Sequence, residues 1–169
     1  MTRNTYPTAA ITGHRPFSLS RQQHSFLSSG LPYIVDTLKQ WYGTRALISG
    51  MALGTDMMWA ELAVSRGLDL CAYVPFRGQE AKWRVGDQEK YGRLLGAARE
   101  VKVFGDSFSN RLYHVRNEAM LNDCDLMVAA WCPSRTSGGT AATVRKAERS
   151  GNPLLVLDLE SFSVRWVQR

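Results

Sequence analysis

Short apolar runs alternate with amphipathic stretches along the chain, and most of the runs break at Gly or Pro. The runs are Ala9–Thr12, Ala46–Ser49, Leu70–Val74, Val101–Phe104, Asp125–Ala130 and Leu154–Asp158. Runs this short suit strands buried on both faces, because a helix needs ten or so residues to bury a stripe. Between them lie segments with helical spacing, from Ser20 to Tyr42, from Thr55 to Gly67, from Asp87 to Ala98, from 110 to 122 and from Thr140 to Ser150. In the first, Leu31, Ile34, Val35, Leu38 and Tyr42 recur on one face, with Pro32 as a candidate break into two helices. Met58, Leu62 and Ala63 are the expected buried stripe of the second. Strand followed by helix, repeated about five times, implies an α/β fold: a Rossmann-like open parallel sheet with helices on both faces. No repeat, linker or low-complexity tract interrupts the pattern, so residues 1–169 read as a single domain. The tail after Glu160 carries no assignable pattern.

An open parallel sheet binds its ligand beyond the carboxyl ends of the strands. The informative loops therefore begin at Gly13, Gly50, Pro75 and Trp131. Ser49-Gly50-Met51-Ala52-Leu53-Gly54-Thr55-Asp56 puts two glycines between a strand and a helix start, where backbone can approach an anion. Asp56 can cap that helix or bond a ribose hydroxyl. The spacing matches neither GxGxxG nor a Walker A loop, and a plain tight turn fits equally well. Ser137-Gly138-Gly139-Thr140 makes a second candidate cradle, with amide hydrogens and the Thr140 hydroxyl available to a phosphate. Here too the alternative is a flexible turn capped by Thr140. His14 and Arg15 follow the first strand, and Arg15 can grip a phosphate with two donors. Arg116, Asn117 and Glu118 lie on the helix over 110–122, whose ordinary fate is a solvated face.

The formal net charge of +6 suits an anionic partner, although no basic block is present. Cys71, Cys124 and Cys132 form no CxxC pair and read as reduced thiols, consistent with a cytoplasmic protein. No apolar run is long enough to span a bilayer, and no targeting segment is expected. His14, His24 and His114 lack metal-ligand spacing, so neither a metal nor a cofactor is expected.

Taken in order, Gly13-His14-Arg15-Pro16, Ser49-Gly50-x-Ala52-x-Gly54-x-Asp56, Pro75-Phe76-x-x-Gln79-x-x-x-Trp83, Gln88-x-x-Tyr91, Arg116-Asn117-x-x-Met120, Asp125 and Gly138-Gly139-Thr140 resemble the YpsA-like branch of the SLOG superfamily. The resemblance runs from about residue 10 to 158. It implies a Rossmann-like sheet and a pocket for nucleotides or their derivatives, lined by Gly13, His14, Arg15, Ser49, Gly50, Gly54, Asp56, Pro75, Arg116, Asn117, Ser137, Gly138, Gly139 and Thr140. It also implies self-association.

Relatives in that superfamily include LOG-type phosphoribohydrolases, DprA-like DNA-binding proteins and nucleotide-signal sensors. Three readings follow. The first is binding of a nucleotide, an ADP-ribose-like molecule or a cyclic nucleotide, as sensor or sequestering protein. The second is a nucleoside monophosphate phosphoribohydrolase, with Arg116 and Glu118 as candidate catalytic residues. The third is single-stranded nucleic-acid binding, ranked behind the others for want of a basic stripe. The hydrolase pattern asks for a Glu after its glycine loop. The two possible alignments place Arg145 or Thr143 there, with Glu148 a turn further on. Neither Arg nor Thr supplies a carboxylate acid/base, which argues against that activity and leaves the enzyme question open.

Overall fold

A computed structural model describes residues 4–167. Strands β1 (Thr8–Gly13), β2 (Ala46–Ser49), β3 (Asp69–Val74), β4 (Glu100–Val103), β5 (Leu126–Trp131), β6 (Leu154–Asp158) and β7 (Ser163–Val167) form one sheet in the order β4-β3-β2-β1-β5-β6-β7. The first six are parallel, and β7 runs antiparallel on β6. Helices α1 (Arg21–Trp41), α2 (Thr55–Ser65), α3 (Val85–Ala97), α4 (Asn110–Asp123) and α5 (Gly139–Ser150) fill the crossovers. This is the Rossmann-like α/β fold that the alternation predicts.

Strand residues point alternately to two cores, as a period of two requires. Ile11, Leu47, Val128 and Leu157 meet Leu31, Leu38, Trp59 and Leu94 from α1, α2 and α3. Ala10, Ile48, Met127 and Val156 meet Met120, Leu121, Val144 and Ala147 from α4 and α5. Helices therefore cover both faces. Among the described residues no helix is long and apolar enough to cross a membrane.

The structure departs from the sequence reading in three places. Pro32 does not divide α1, which runs unbroken through it. Proline cannot donate to the Ser28 carbonyl, but Ser28 is exposed, and Leu27, Leu31, Ile34, Val35 and Leu38 hold the helix on the core. A capping box holds the start of the same helix, with the Gln23 amide donating to Ser20 Oγ (3.1 Å) and the Ser20 amide to Gln23 Oε1 (2.9 Å). In α2 the most buried apolar residues are Met57, Trp59, Ala60 and Ala63, whereas Met58 and Leu62 are only half-buried. The tail, which showed no pattern, forms β7: its Trp166 packs on Tyr6 and Tyr42, with ring centroids 5.8 and 5.3 Å away.

Candidate functional site

From β1 the chain steps outward through β2 and β3 to the edge strand β4. Helix α4 then returns it to β5, on the other side of β1. The crossovers diverge between β1 and β5, and the turns beyond those two strands leave a crevice, the usual ligand position in open α/β sheets. A cleft of about 790 Å³ opens there. Gly13, His14 and Arg15 line it from the β1 turn, and Thr136 to Thr140 from the turn before α5. Ala52 and Leu53 come from the turn after β2, and Asp56 from the start of α2. Helix α4 contributes Asn110, Tyr113, His114 and Asn117, spaced as one helical stripe, with Arg116 beside them.

The β1 turn is held by close packing. A Cβ at Gly13 would come within 2.4 Å of the Thr55 side chain, whose hydroxyl donates to the His14 carbonyl at 2.9 Å. Gly54 has φ of +87°, and a Cβ there would stand 2.6 Å from the Pro16 ring. The His14 ring ties this turn to the next strand, its Nε2 accepting from the Cys132 amide at 3.1 Å. That bond assigns the ring proton to Nδ1. Burial, and then the Arg135 charge, lower the His14 pKa to about 4, so the ring is neutral at physiological pH.

The turn after β2 is satisfied from within. Met51 adopts φ of +59°, and its amide donates to Ser49 Oγ at 3.1 Å. The Ser49 hydroxyl donates to the Asp56 carbonyl at 2.6 Å, and the Ala52 amide to Asp56 Oδ2 at 3.3 Å. Arg116 reaches in from α4, and its Nη1 donates to the carbonyls of Gly50 and, at 3.5 Å, Tyr73. A Cβ at Gly50 would lie 2.4 Å from Arg116 Nη1 and 2.7 Å from Asp56 Oδ2. Only glycine lets that guanidinium and that carboxyl close over the turn. Burial pushes the Asp56 carboxyl up, and the nearby Arg116 charge opposes the shift. Arg116 is shifted down by its own burial, with Asp56 working against that.

The turn before α5 is built differently. Gly138 precedes the helix at φ of +95°, a conformation that favours glycine, and no side chain caps the helix. The Ala142 amide donates to the Gly138 carbonyl at 3.0 Å. The amides just before Ala142 point out of the helix end, which carries its partial positive charge. Arg145 bonds the Thr136 carbonyl and extends the cationic lining. Among the described residues, Arg15, Arg116 and Arg145 thus share the cleft with one acidic side chain, Asp56.

No family model matches the chain. The chain is 32% identical over 120 residues to a UPF0398 protein of Bacillus licheniformis, in a match covering 62% of this chain and 60% of that protein. The resemblance to the YpsA-like branch of the SLOG superfamily holds. In fold, the chain is similar to DNA processing protein A of Streptococcus pneumoniae, with TM-score 0.68, 18% identity, and 89% of this chain covering 50% of that one. DNA processing protein A of Helicobacter pylori, described for its mode of binding single-stranded DNA, gives 0.64, 16%, 89% and 65%. At these identities the likeness is one of fold.

Most of the expected site residues come together in the cleft. Gly13, His14, Arg15, Asp56, Arg116, Asn117, Ser137, Gly138, Gly139 and Thr140 all line the cleft. Ser49, Gly50, Gly54 and Pro75 do not; the first three shape the turns behind it, and Pro75 is buried beyond β3. The amide cradle expected over 50–55 is therefore not offered to the cleft by Met51 and Ala52, whose hydrogens are already donated. Glu118 also lies outside the cleft, exposed and 3.8 Å from Lys146. Glu148 lines a separate hollow with Asn152 and Trp166. Of the two residues at the hydrolase Glu position, Thr143 donates its hydroxyl to the Gly139 carbonyl at 2.9 Å, and Arg145 is exposed. Sequence reasoning missed Asn110 and Tyr113 as lining residues. Asn110 stands four residues before His114 and Tyr113 four before Asn117, and that spacing was the available signal.

Among the described residues no group of His, Cys, Asp and Glu is arranged to hold a metal ion.

Proposed function

We propose that the cleft binds a nucleotide or nucleotide-derived ligand through its phosphate, as a sensor or sequestering protein would. The observation that carries this reading is the start of α5. An uncapped helix N-terminus preceded by a glycine turn shares one cleft with Arg15 and Arg145. The volume of about 790 Å³ falls in the range of small-molecule sites. Arg15 is exposed, so its guanidinium is available to an incoming phosphate. Asp56, at the opposite wall, is the acceptor for a ribose hydroxyl.

Calorimetry with AMP, ADP-ribose and a cyclic nucleotide tests this. Saturable binding to at least one is expected, with Arg15→Ala costing roughly tenfold or more in affinity, the scale of a lost charge-assisted bond. Gly139→Asp places a negative charge where the phosphate sits and abolishes binding. Absence of heat and of thermal shift across the panel contradicts the proposal.

One observation favours a second reading. The Helicobacter pylori neighbour is described as binding single-stranded DNA, and this chain carries a net charge of +6. In that case an oligonucleotide outcompetes the mononucleotides, and its affinity falls steeply with added salt. The hydrolase reading has less support, since neither Glu118 nor Glu148 lines the cleft.

A further inference from the structure

Beyond Arg15, Ala52, Leu53 and Tyr113 the cleft is joined by a smaller pocket of about 280 Å³, which shares those four residues with it. Its walls differ in character from those of the cleft. Phe76, Phe108 and Trp83 supply aromatic surface, and Gln79 and Lys82 add polar groups. Phe76, Phe108 and Tyr113 form a cluster of edge-to-face rings, with Phe76 5.5 Å from Phe108 and 5.6 Å from Tyr113. Phe76 is buried, but Phe108 is 65% exposed. A phenyl ring left in water at the mouth of a concave pocket is surface that folding did not bury. Trp83 is fixed edge-on against Tyr91 at 5.4 Å, and Tyr91 is itself held by Gln79. The rings are therefore braced by their neighbours.

Resting on the proposed phosphate site, we infer that this pocket is the subsite for the ligand's heteroaromatic base. Aromatic faces accept a flat ring of any base, and the nearby cations Arg15 and Lys82 suit its polar edge. An aliphatic tail would leave those polar groups uncompensated. The ligand is thus two-ended: an anion at Gly139 and Thr140, and a planar ring at Phe108 and Trp83, with Arg15 and Leu53 between. This sets a base-bearing nucleotide apart from a bare sugar phosphate as the preferred class.

The test is calorimetry on the full chain with three probes, AMP, ribose 5-phosphate and adenosine, against wild type and Phe108→Ala. Phe108 is exposed, so its truncation leaves the fold intact, which circular dichroism checks. The expected result is AMP binding at least tenfold tighter than ribose 5-phosphate, with Phe108→Ala removing most of that gap and leaving ribose 5-phosphate unchanged. The tenfold figure is the scale of one stacking contact. Equal binding of AMP and ribose 5-phosphate overturns the base subsite while leaving the phosphate site standing. Binding of adenosine that weakens in Phe108→Ala, with no binding of ribose 5-phosphate, supports the subsite and removes the phosphate anchor. Absence of binding by all three overturns the base subsite, and the phosphate site then stands or falls on ADP-ribose and the cyclic nucleotide.

Discussion

Arg116 illustrates how a residue can be read for one role and serve another. A buried guanidinium is tolerated only when its donors are used, and here they go to the carbonyls of Gly50 and Tyr73 and, at 2.8 Å, to Asn117 Oδ1. Its first task is to hold the carbonyl ends of β2 and β3 against α4. His14 is the other residue whose environment fixes its chemistry. Its pKa is about 4 in the folded chain against an ordinary 6.5. Between those values the unfolded chain holds a proton that the folded chain does not, so stability falls as pH drops from 6.5 towards 4. His14→Gln keeps an acceptor for the Cys132 amide and removes the titration. Urea midpoints at pH 7 and pH 5 are expected to differ less in the variant than in wild type. An identical decline in both would show that His14 does not carry this dependence. The sequence placed Gly13, His14 and Arg15 in the turn beyond an apolar strand, where they line the cleft, but did not show that the His14 ring is spent on the Cys132 amide. It did not reveal that Gly50 serves side-chain packing, since a glycine needed for a close guanidinium reads the same as one needed for a phosphate.

At the scale of elements, the alternation of periods made six strands and five helices legible nearly to their ends. β7 was not, because an exposed antiparallel edge strand lacks the apolar run that marks a buried one. α1 was misread at Pro32 for a related reason. Proline propensity is a local cost, and the helix is held by Leu27, Leu31, Ile34, Val35 and Leu38 on the core side. Pro32→Ala restores a donor to the Ser28 carbonyl and relieves the ring's contact with the preceding turn. It is expected to stabilise the protein by about 1 kcal/mol or more, part of the roughly 3 kcal/mol that an interior proline costs a helix. Chemical denaturation checks this, and a loss of stability would mean that Pro32 packs better than its backbone geometry indicates. α4 is the element on which the site depends most. One of its faces buries Met120 and Leu121, and the adjoining one presents Asn110, Tyr113, His114 and Asn117 to the cleft.

Over the whole molecule, topology brings together residues more than a hundred positions apart. β1 and β5 pair in register from Ala9 with Leu126 to Gly13 with Ala130, which sets Gly13 to Arg15 beside the turn that leads into α5. Cationic side chains and an open helix end then converge on one side of the sheet. The proposed ligand chemistry depends on that convergence. It is examined by titrating ¹⁵N-labelled protein with AMP and following backbone amide shifts. The largest, saturable changes are expected at Gly139, Thr140 and Ala141, with Arg15 moving alongside them and Met51 and Ala52 nearly still. Changes centred instead on the hollow by Glu148 and Asn152, or none at any concentration, would contradict a phosphate site at the start of α5.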